Sequence, residues 1–233
     1  MLELRDLTVS YGRGKIVLHE ITLAFGSGEL AVIMGHNGAG KTTLLKAIFG
    51  LLAPDRGEIT YQGEPLRGDA PGRVRRRIAY SPAGQAILPG LTVEENLAVA
   101  AEVVRADRAT TRSRRETAFE LFPILAERTL QRAGTLSGGQ QRMLAVAMTL
   151  MQGPEVLLLD EPSLGLSPLL VENLYAAIAR IRQEFGLTVV VVEQSINPTI
   201  LQADRLHVLR MGRIVFSGGS EILGDTQRLW SLL

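Results

Sequence analysis

The fold of this chain is indicated first by the stretch Gly35-His36-Asn37-Gly38-Ala39-Gly40-Lys41-Thr42-Thr43, which fits the phosphate-binding pattern G-x-x-x-x-G-K-[ST]. The apolar run Leu30–Met34 precedes it and suits a buried parallel strand. The residues that follow, 43–49, have the apolar spacing of a helix. The pattern requires strand, loop and helix in this order. The sequence therefore predicts a site for a nucleoside triphosphate.

The residue types of this loop suit a phosphate chain. Glycines let the backbone approach closely, so that N–H groups at a helix N-terminus meet phosphate oxygens. Lys41 supplies a mobile positive charge for the β- and γ-phosphates, and the Thr42 hydroxyl is placed to hold Mg²⁺. The alternative is a glycine-rich turn with a capping threonine, which the flanking strand and helix disfavour.

Composition narrows the broad class. A length of 233 residues suits one large α/β domain or a domain with a sub-lobe, and 46% hydrophobic with 21% charged residues indicates a globular chain. A net charge of +1 gives no field that favours nucleic acid. The absence of cysteine excludes disulfides and cysteine-based metal sites. No apolar run approaches the ~20 residues of a membrane span, so we expect a membrane role only through a partner.

Strand patterns surround the phosphate loop. Leu2–Val9 alternates apolar and polar residues, and Ile16–Leu23 reads as a second edge strand, which predicts an antiparallel region at the N-terminus. Short strands are expected at Glu58–Tyr61 and Ile78–Ser81, with a loop between them. That loop carries a basic run that we interpret as a solvated face, not a nucleic-acid patch: Arg73, Arg75, Arg76 and Arg77.

From about residue 92 to residue 150 the pattern is helical, beginning with a Thr-x-x-Glu capping box at Thr92. This stretch interrupts the alternation of strands and helices, so we predict an inserted helical sub-lobe and not a second domain. The predicted organisation is a single domain over 1–233, with a nucleotide-binding core at 1–84 and 151–233 and the sub-lobe at 85–150.

A second glycine-rich motif, Leu136-Ser137-Gly138-Gly139-Gln140-Gln141-Arg142, precedes the apolar helix at residues 143–150. Exposed N–H groups, a helix dipole and a hydroxyl make it a second candidate anion site. The simpler alternative is an N-cap serine followed by two flexible glycines. Because the chain has only one phosphate loop, this motif is expected to serve a nucleotide held by another copy.

Acidic residues follow the apolar run 156–159. A buried strand that ends in Asp160-Glu161 would carry unpaired charge unless the acids are used, and ligands bind at the carboxyl ends of parallel strands. Asp160 suits a Mg²⁺-linked carboxylate beside Thr42, and Glu161 suits the general base that activates the attacking water. Thr188–Glu193 is another buried strand with a polar end, and a hairpin at 205–216 closes the sheet.

Three motifs now stand in order: the phosphate loop, Leu-Ser-Gly-Gly-Gln-Gln-Arg and Leu-Leu-Leu-Asp-Glu-Pro, with 96 positions from Lys41 to Ser137. Together they resemble the ATP-binding subunit of an ABC transporter over essentially the whole chain. The resemblance implies an α/β fold, with a P-loop NTPase core of RecA type, an inserted helical sub-lobe and an N-terminal antiparallel β region. It also implies ATP and Mg²⁺ as ligands.

The resemblance assigns further roles. Tyr11 is the aromatic residue that stacks on adenine, with Val17 beside it, and residues 163–167 are the loop that touches the partner subunit. Ser137 and Gly139 contact the γ-phosphate across a head-to-tail dimer. The implied nucleotide-binding set is Tyr11, Val17, Gly35, His36, Asn37, Gly38, Ala39, Gly40, Lys41, Thr42, Thr43, Ser137, Gly138, Gly139 and Gln140.

Two positions depart from the family pattern. Most ABC ATPases have a histidine where this chain has Gln194, so Gln194 takes the place of the residue that senses the γ-phosphate, beside the catalytic Glu161. The position of the Mg²⁺-facing Gln or Glu is Ala83. Either Gln85 takes that role through a shifted loop, or the link between metal and membrane partner is weaker. The expected metal set is therefore Thr42, Asp160 and Gln85.

Glu193-Gln194, the sequence Pro-Ser-Leu-Gly-Leu-Ser and the compact length resemble the ATPases of branched-chain amino acid importers of the LivF type. We therefore expect an ATP-hydrolysing subunit, peripheral on the cytoplasmic face of the cell membrane, that energises import of branched-chain or related amino acids. Expected partners are a second ABC ATPase subunit, identical or different, transmembrane permease subunits and, indirectly, a solute-binding protein.

Three alternatives are weighed against this expectation. The solute could instead be urea or an amide, since the substrate never touches this chain. A non-transport ABC ATPase acting on nucleic acid or ribosomes is disfavoured by the near-neutral charge and the single nucleotide module, so no nucleic-acid partner is expected. An inactive scaffold is disfavoured by the presence of Lys41, Asp160 and Glu161.

Overall fold

The computed structural model describes residues 1–12, 14–84, 86–195, 202–219, 221–222 and 232. The strands are β1 Leu2–Tyr11, β2 Lys15–Phe25, β3 Leu30–Met34, β4 Arg56–Tyr61, β5 Glu64–Pro65, β6 Ile78–Ser81, β7 Val156–Asp160, β8 Thr188–Glu193, β9 Arg205–Arg210 and β10 Arg213–Gly218. The helices are α1 Lys41–Phe49, α2 Ala70–Arg75, α3 Val93–Glu102, α4 Arg108–Leu121, α5 Pro123–Ala126, a 3₁₀ turn Ala133–Thr135, α6 Gly138–Met151 and α7 Pro168–Phe185.

A six-stranded sheet in the order β10-β9-β3-β8-β7-β6 forms the centre of the molecule. Strand β3 pairs in parallel with β8 and β9, and β7 pairs in parallel with β8 and β6. Met34 lies opposite Glu193, and Asp160 lies opposite Val192, so the carboxyl ends of β3, β7 and β8 meet at one edge. Ligands bind at this edge in open α/β sheets. The predicted buried strands and the β9–β10 hairpin are confirmed.

The predicted antiparallel region at the N-terminus is confirmed as a four-stranded sheet in the order β2-β1-β4-β5. Its inner face and one face of the parallel sheet enclose helix α1 in a shared hydrophobic core. Leu4 and Phe25 from the antiparallel sheet, Leu44 and Ile48 from α1, and Ile33 from β3 are all fully buried there. Helix α1 is therefore fixed from both sides.

The helical region covers the other face of the parallel sheet. Val93 and Leu97 of α3, and Leu144 of α6, share a second hydrophobic core with Leu157 and Leu159 of β7. The predicted capping box at the start of α3 is confirmed. The Thr92 hydroxyl accepts the N–H of Glu95, and the Glu95 carboxylate accepts the N–H of Thr92. Helix α6 packs against β6 of the sheet and against α3, so its position relative to the sheet is fixed by contacts on two sides.

The segment between β4 and β6 corrects the sequence prediction. We expected a loop, but the segment contains β5 and the six-residue helix α2. Asp69 caps this helix by accepting the N–H of Gly72, and a proline stands in its first turn. A helix of six residues is too short to show an apolar period, which is why the pattern gave no signal.

The prediction for the basic run is confirmed for Arg75, Arg76 and Arg77, which are exposed, but it is wrong for Arg73. Its side chain is 3% exposed. The guanidinium donates hydrogen bonds to the carbonyl oxygens of Ile48 at 2.8 Å, Leu66 at 2.8 Å and Arg67 at 3.0 Å. Arginine has five donors in a fixed planar arrangement, so one side chain can satisfy a carbonyl group at the end of α1 and two more in the segment after β5. Arg73 is thus a structural residue.

Hydrophobic helices of membrane-spanning length are not found in the part of the chain that the structure describes.

Candidate active site

The phosphate loop joins β3 to α1 along the carboxyl edge of the parallel sheet. Gly40 precedes the helix with φ 110°, a left-handed conformation that glycine adopts without strain, and it has no side chain to cap the helix. The N–H groups of the first turn therefore have no intrahelical acceptors and suit an anion. A Cβ at Gly35 would collide with the carbonyl oxygen of Leu209. The loop thus needs glycine for its shape and for packing.

Lys41 lies inside the loop and is 4% exposed. Its ammonium donates hydrogen bonds to the carbonyl oxygens of Gly35 at 2.7 Å and His36 at 3.2 Å. The same nitrogen lies 3.2 Å from Oε1 of Glu161. The structure therefore brings together the predicted phosphate-binding cation and the predicted general base, although 120 positions separate them in the sequence.

Thr42 and Asp160 also meet, as the sequence predicted. The Thr42 hydroxyl donates to Oδ1 of Asp160 at 3.1 Å, and the Tyr80 hydroxyl donates to Oδ2 at 3.0 Å. Burial, and then the charge of Asp160, raise the pKa of Tyr80 well above its usual value, so its hydroxyl remains a donor at neutral pH. Both oxygens of this buried carboxylate are therefore held in place.

The donor set fits Mg²⁺. Groups of three or more His, Asp or Glu side chains able to hold a metal do not occur among the described residues. Mg²⁺ does not require such a group, because it retains several waters and is held by one or two protein oxygens together with substrate phosphates. The hydroxyl of Thr42 and the carboxylate of Asp160 provide two oxygens of this kind.

Glu161 has φ 47°, an uncommon conformation for a residue with a side chain. Its N–H donates to the carbonyl oxygen of Val192 at 3.0 Å, which ties the end of β7 to the end of β8. The left-handed turn directs the chain away from the strand, while the carboxylate reaches Lys41. Strained backbone conformations of this type are enriched at functional sites.

A cavity of about 920 Å³ extends from the phosphate loop to the end of β1. Tyr11 lies at the outer end of the cavity and is 46% exposed. Its hydroxyl accepts a hydrogen bond from the Thr43 hydroxyl at 3.4 Å. Among the predicted nucleotide-binding residues, those that line this cavity are Tyr11, Val17, Asn37, Gly38, Gly40, Lys41, Thr42 and Thr43, with Glu161 beside them. The structure therefore places these predicted adenine and phosphate residues around one cavity, whereas Gly35, His36 and Ala39 of the same loop do not line it.

The motif at residues 136–142 is placed elsewhere. Ser137 caps α6, its hydroxyl accepting the N–H of Gln140 at 3.3 Å, while Oε1 of Gln140 accepts the N–H of Ser137 at 3.0 Å. Ser137 and Gln140 line a different cavity, of about 660 Å³, together with residues of α7 such as Leu170. The structure does not bring this motif to the phosphate loop of its own chain.

The two glycines of this motif differ in their surroundings. A Cβ at Gly139 would lie 2.6 Å from Cδ1 of Leu170, so a side chain at this position would have to displace the end of that leucine on α7. A Cβ at Gly138 would meet no atom of the described residues within 4 Å. Contacts with that part of the chain therefore do not explain why Gly138 has no side chain.

The two departures from the family pattern have different outcomes. Gln194 follows β8 directly and is half-buried at the same sheet edge as Asp160. Gln85 lies outside the described residues, so its predicted role stays a prediction. Ala83 lies in the bend after β6. The loop that would carry a metal-facing side chain therefore begins beside Tyr80, the donor to Asp160.

Sequence reasoning missed three residues at this edge. Tyr80 reaches Asp160, Glu193 is a buried carboxylate at the end of β8, and Arg142 donates to the carbonyl oxygen of Gly84 at 3.1 Å while only 8% exposed. Burial lowers the pKa of Arg142, and the charges of Glu193, Asp160 and Glu161 oppose that shift. A polar end to a buried strand was visible at Glu193, but its partners lie far away in the sequence.

Comparisons with known proteins agree with this geometry. The sequence profile of the ABC transporter family matches residues 18–164. The chain is 42% identical to the high-affinity branched-chain amino acid transport ATP-binding protein BraG of Pseudomonas aeruginosa, over 92% of this chain and 91% of that protein. It is 34% identical to the probable branched-chain amino acid transport ATP-binding protein LivF of Archaeoglobus fulgidus, over 98% and 97%.

Structural comparison agrees as well. The bacterial ABC transporter cassette MJ0796, solved as a dimer, is 26% identical, with a TM-score of 0.84 over 95% of this chain and 99% of that one. Other curated relatives include ATP-binding proteins for phosphonate import and for molybdate or tungstate import. The chain therefore belongs to the ABC transporter family, whose ATP-binding and ATP-hydrolysing cassette it forms.

Proposed function

We propose that this chain hydrolyses ATP to energise an importer of branched-chain or related amino acids. The observation that carries the choice of solute is the 42% identity to BraG over nearly the whole of both chains. Relatives that serve phosphonate and molybdate import share less of the sequence, at 32% and 34%. The expected position is peripheral, on the cytoplasmic face of the membrane, against permease subunits.

The chemistry follows from the residues around the 920 Å³ cavity. Tyr11 stacks on the adenine, Val17 packs beside it, and the loop N–H groups with Lys41 neutralise the phosphates. Glu161 accepts a proton from the water that attacks the γ-phosphorus, and ADP leaves as the bond to its β-phosphate oxygen breaks. Mg²⁺, held through Thr42 and Asp160, neutralises charge on the phosphate oxygens when bound.

Gln194 is proposed to orient the same water. Its amide has both a donor and an acceptor, but it does not titrate near neutral pH. The proton-accepting role therefore belongs to Glu161 alone, whose carboxylate lies 3.2 Å from the Lys41 ammonium. Gln85, by the same proposal, adds a link between the metal and the membrane partner.

The motif Ser137, Gly138, Gly139 and Gln140 is proposed to contact ATP held by a second cassette in a head-to-tail dimer. Ser137 and Gly138 are exposed, and among the described residues no atom lies within 4 Å of where a Cβ of Gly138 would be. The exposed helix N-terminus is suited to an anion from outside the chain. The dimeric cassette with the same fold supports this arrangement.

The test is solute uptake in cells that carry the natural permease. The gene for this chain is deleted, and uptake of radiolabelled leucine, urea and acetamide is measured. We expect leucine uptake to fall to background, to be restored by the parental gene and to remain at background with Lys41→Ala. The Glu155→Gln variant, which alters a half-buried carboxylate outside the cavity, should restore uptake fully.

Each other outcome would contradict part of the proposal. If urea or acetamide uptake is lost while leucine uptake stays normal, the transported solute is urea or an amide and not a branched-chain amino acid. Normal uptake of all three, together with co-sedimentation of the chain with ribosomes, would favour the non-transport class of ABC ATPase. Full restoration by Lys41→Ala would show that hydrolysis at this site does not drive uptake.

A further inference from the structure

Glu193 stands at the end of β8 and is only 2% exposed. Its Oε1 accepts two hydrogen bonds, one from the Tyr175 hydroxyl at 2.8 Å and one from the N–H of Ser163 at 3.2 Å. Tyr175 belongs to α7, and Ser163 belongs to the loop between β7 and α7, residues 161–167. One buried carboxylate oxygen therefore joins a strand, a loop and a helix.

These contacts attach the 161–167 loop to the end of β8 at a second point. The first is the backbone hydrogen bond from Glu161 to the carbonyl oxygen of Val192. Ser163 lies two residues after Glu161, and Glu193 lies directly before Gln194. The bond from Ser163 to Glu193 thus fixes the proposed base relative to the proposed water-orienting amide.

Burying the Glu193 carboxylate at the end of β8 costs free energy that an apolar side chain would not. Burial raises the pKa of Glu193, and Glu161 adds like-charge repulsion, while the two hydrogen bonds act in the opposite direction. An apolar side chain of similar volume would avoid the cost of taking a charge out of water. Packing alone therefore does not account for a glutamate here.

We propose that Glu193 is a positioning residue, which holds the 161–167 loop so that Glu161 and Gln194 face the same water. Tyr175 is its second anchor, on α7. The proposal rests on the proposed function of Glu161. ATP affinity is set by the phosphate loop and Tyr11, which Glu193 does not contact in the described structure. Loss of Glu193 should therefore lower kcat and leave KM for ATP unchanged.

Four variants of the full chain test this. Glu193→Leu removes the oxygen that accepts both hydrogen bonds, Glu193→Gln keeps one acceptor oxygen for both donors, and Tyr175→Phe removes one donor. The matched control is Tyr61→Phe, because the Tyr61 hydroxyl donates to Glu155 at 2.7 Å in a similar pair that lies outside the cavity. Steady-state ATP hydrolysis gives kcat and KM separately for each variant.

Misplacing a catalytic group by about 1 Å costs up to ~100-fold in rate, so we expect Glu193→Leu to lower kcat by about 10- to 100-fold with unchanged KM. Glu193→Gln should stay within about threefold of the parent, since its amide oxygen accepts the same two hydrogen bonds. Tyr175→Phe should fall between them, and Tyr61→Phe should match the parent.

Parental kcat in Glu193→Leu would overturn the proposal, as would a Glu193→Gln variant as slow as Glu193→Leu, because charge and not hydrogen bonding would then matter. If Glu193→Leu does not fold, equal rates for Tyr175→Phe and Tyr61→Phe would overturn it instead. Glu161→Gln is measured in parallel. Full activity in Glu161→Gln would refute the proposed base. If Glu161→Gln loses activity while the Glu193 variants keep the parental kcat, only the positioning role is refuted.

Discussion

Two glycine-rich helix N-termini of this chain can be compared directly, that of α1 and that of α6. Helix α1 begins after Gly40, which is left-handed and has no side chain to cap the helix. Helix α6 begins after Ser137, whose side chain forms a capping box with Gln140. The first N-terminus adjoins Lys41 and Glu161, while the second is exposed and lines another cavity.

The difference is between a nucleotide site whose groups all come from one chain and a motif that contributes to a site only together with a second chain. At α1, cation, carboxylates and open N–H groups converge on one cavity. At α6, the hydroxyl already serves the helix, and no charged group of the described residues is bonded to Ser137. Glycines at a helix N-terminus therefore have different roles according to which side chains lie beside that N-terminus.

The largest expected effect comes from disabling chemistry at α1 while keeping its phosphate contacts. Glu161→Gln should lower ATP turnover by about 10²- to 10⁴-fold, the range for loss of a general base, and leave ATP binding intact. Steady-state hydrolysis and equilibrium ATP binding give the two values, with Glu155→Gln as the control. Near-parental turnover would show that Glu161 is not the base.

A second variant examines the same site from strand β8. Gln194→Ala should lower turnover by about 10²-fold, as for removal of one preorganised hydrogen-bonding group, with ATP affinity little changed. Gln194→His should retain much of the activity and acquire a pH dependence between about 6 and 7, where imidazole titrates. Turnover against pH for the three proteins is the measurement. Full activity in Gln194→Ala would show that Gln194 does not contribute to the chemistry and is only a polar residue at the end of a buried strand.

The N-cap of α6, Ser137, can be compared with the N-cap of α3, Thr92, because both form capping boxes. Ser137→Ala and Thr92→Ala each remove a capping-box hydroxyl and should each cost about 1 kcal/mol of stability. Only Ser137→Ala should also lower turnover, by about tenfold, the equivalent of ~1.4 kcal/mol in the transition state. Thermal unfolding and hydrolysis rates are compared for both. Equal rates in the two variants would reduce Ser137 to a helix cap.

The smallest effect concerns the outer end of the cavity. Tyr11→Ala should weaken nucleotide binding by about 1 kcal/mol, the scale of an aromatic pair. Tyr11→Phe should be nearly silent, because the bond from Thr43 to the Tyr11 hydroxyl is long, at 3.4 Å. ATP titration of both variants separates the ring from the hydroxyl. Equal losses would assign the binding contribution to the hydroxyl.

The sequence predicts the parts of this molecule whose signal is local. The phosphate loop, the apolar strands before Asp160 and Glu193 and the Thr92 capping box each lie within a few residues, and the structure has them where expected. Parallel pairing then explains why Thr42 and Asp160 meet, since β3, which leads into the loop and α1, and β7, which ends in Asp160, end at one edge of the sheet. These features follow from periodicity and topology.

What the sequence did not predict depends on long-range partners. Arg73 is buried because the carbonyl groups of Ile48 in α1 and Leu66 after β5 both accept hydrogen bonds from it. The residues around Arg73 in the sequence do not indicate that these carbonyl groups lie nearby. Tyr80 was visible only as a strand residue, although its hydroxyl reaches Asp160, 80 positions away. Glu193 likewise depends on Tyr175, whose ring approaches from α7. Side-chain hydrogen bonds between distant elements leave no periodic pattern.

The central claim is that α1 binds ATP within one chain and that α6 acts on the nucleotide of another. The most direct measurement is equilibrium ATP binding to the dilute chain in the Glu161→Gln background, comparing Lys41→Ala with Ser137→Arg. We predict that Lys41→Ala raises the Kd at least about tenfold, by loss of a charge-assisted phosphate contact. Ser137→Arg should leave the Kd unchanged, and in the chain that retains Glu161 it should abolish turnover. A Kd raised equally by both substitutions would contradict the account, because both N-termini would then bind the same nucleotide within one chain.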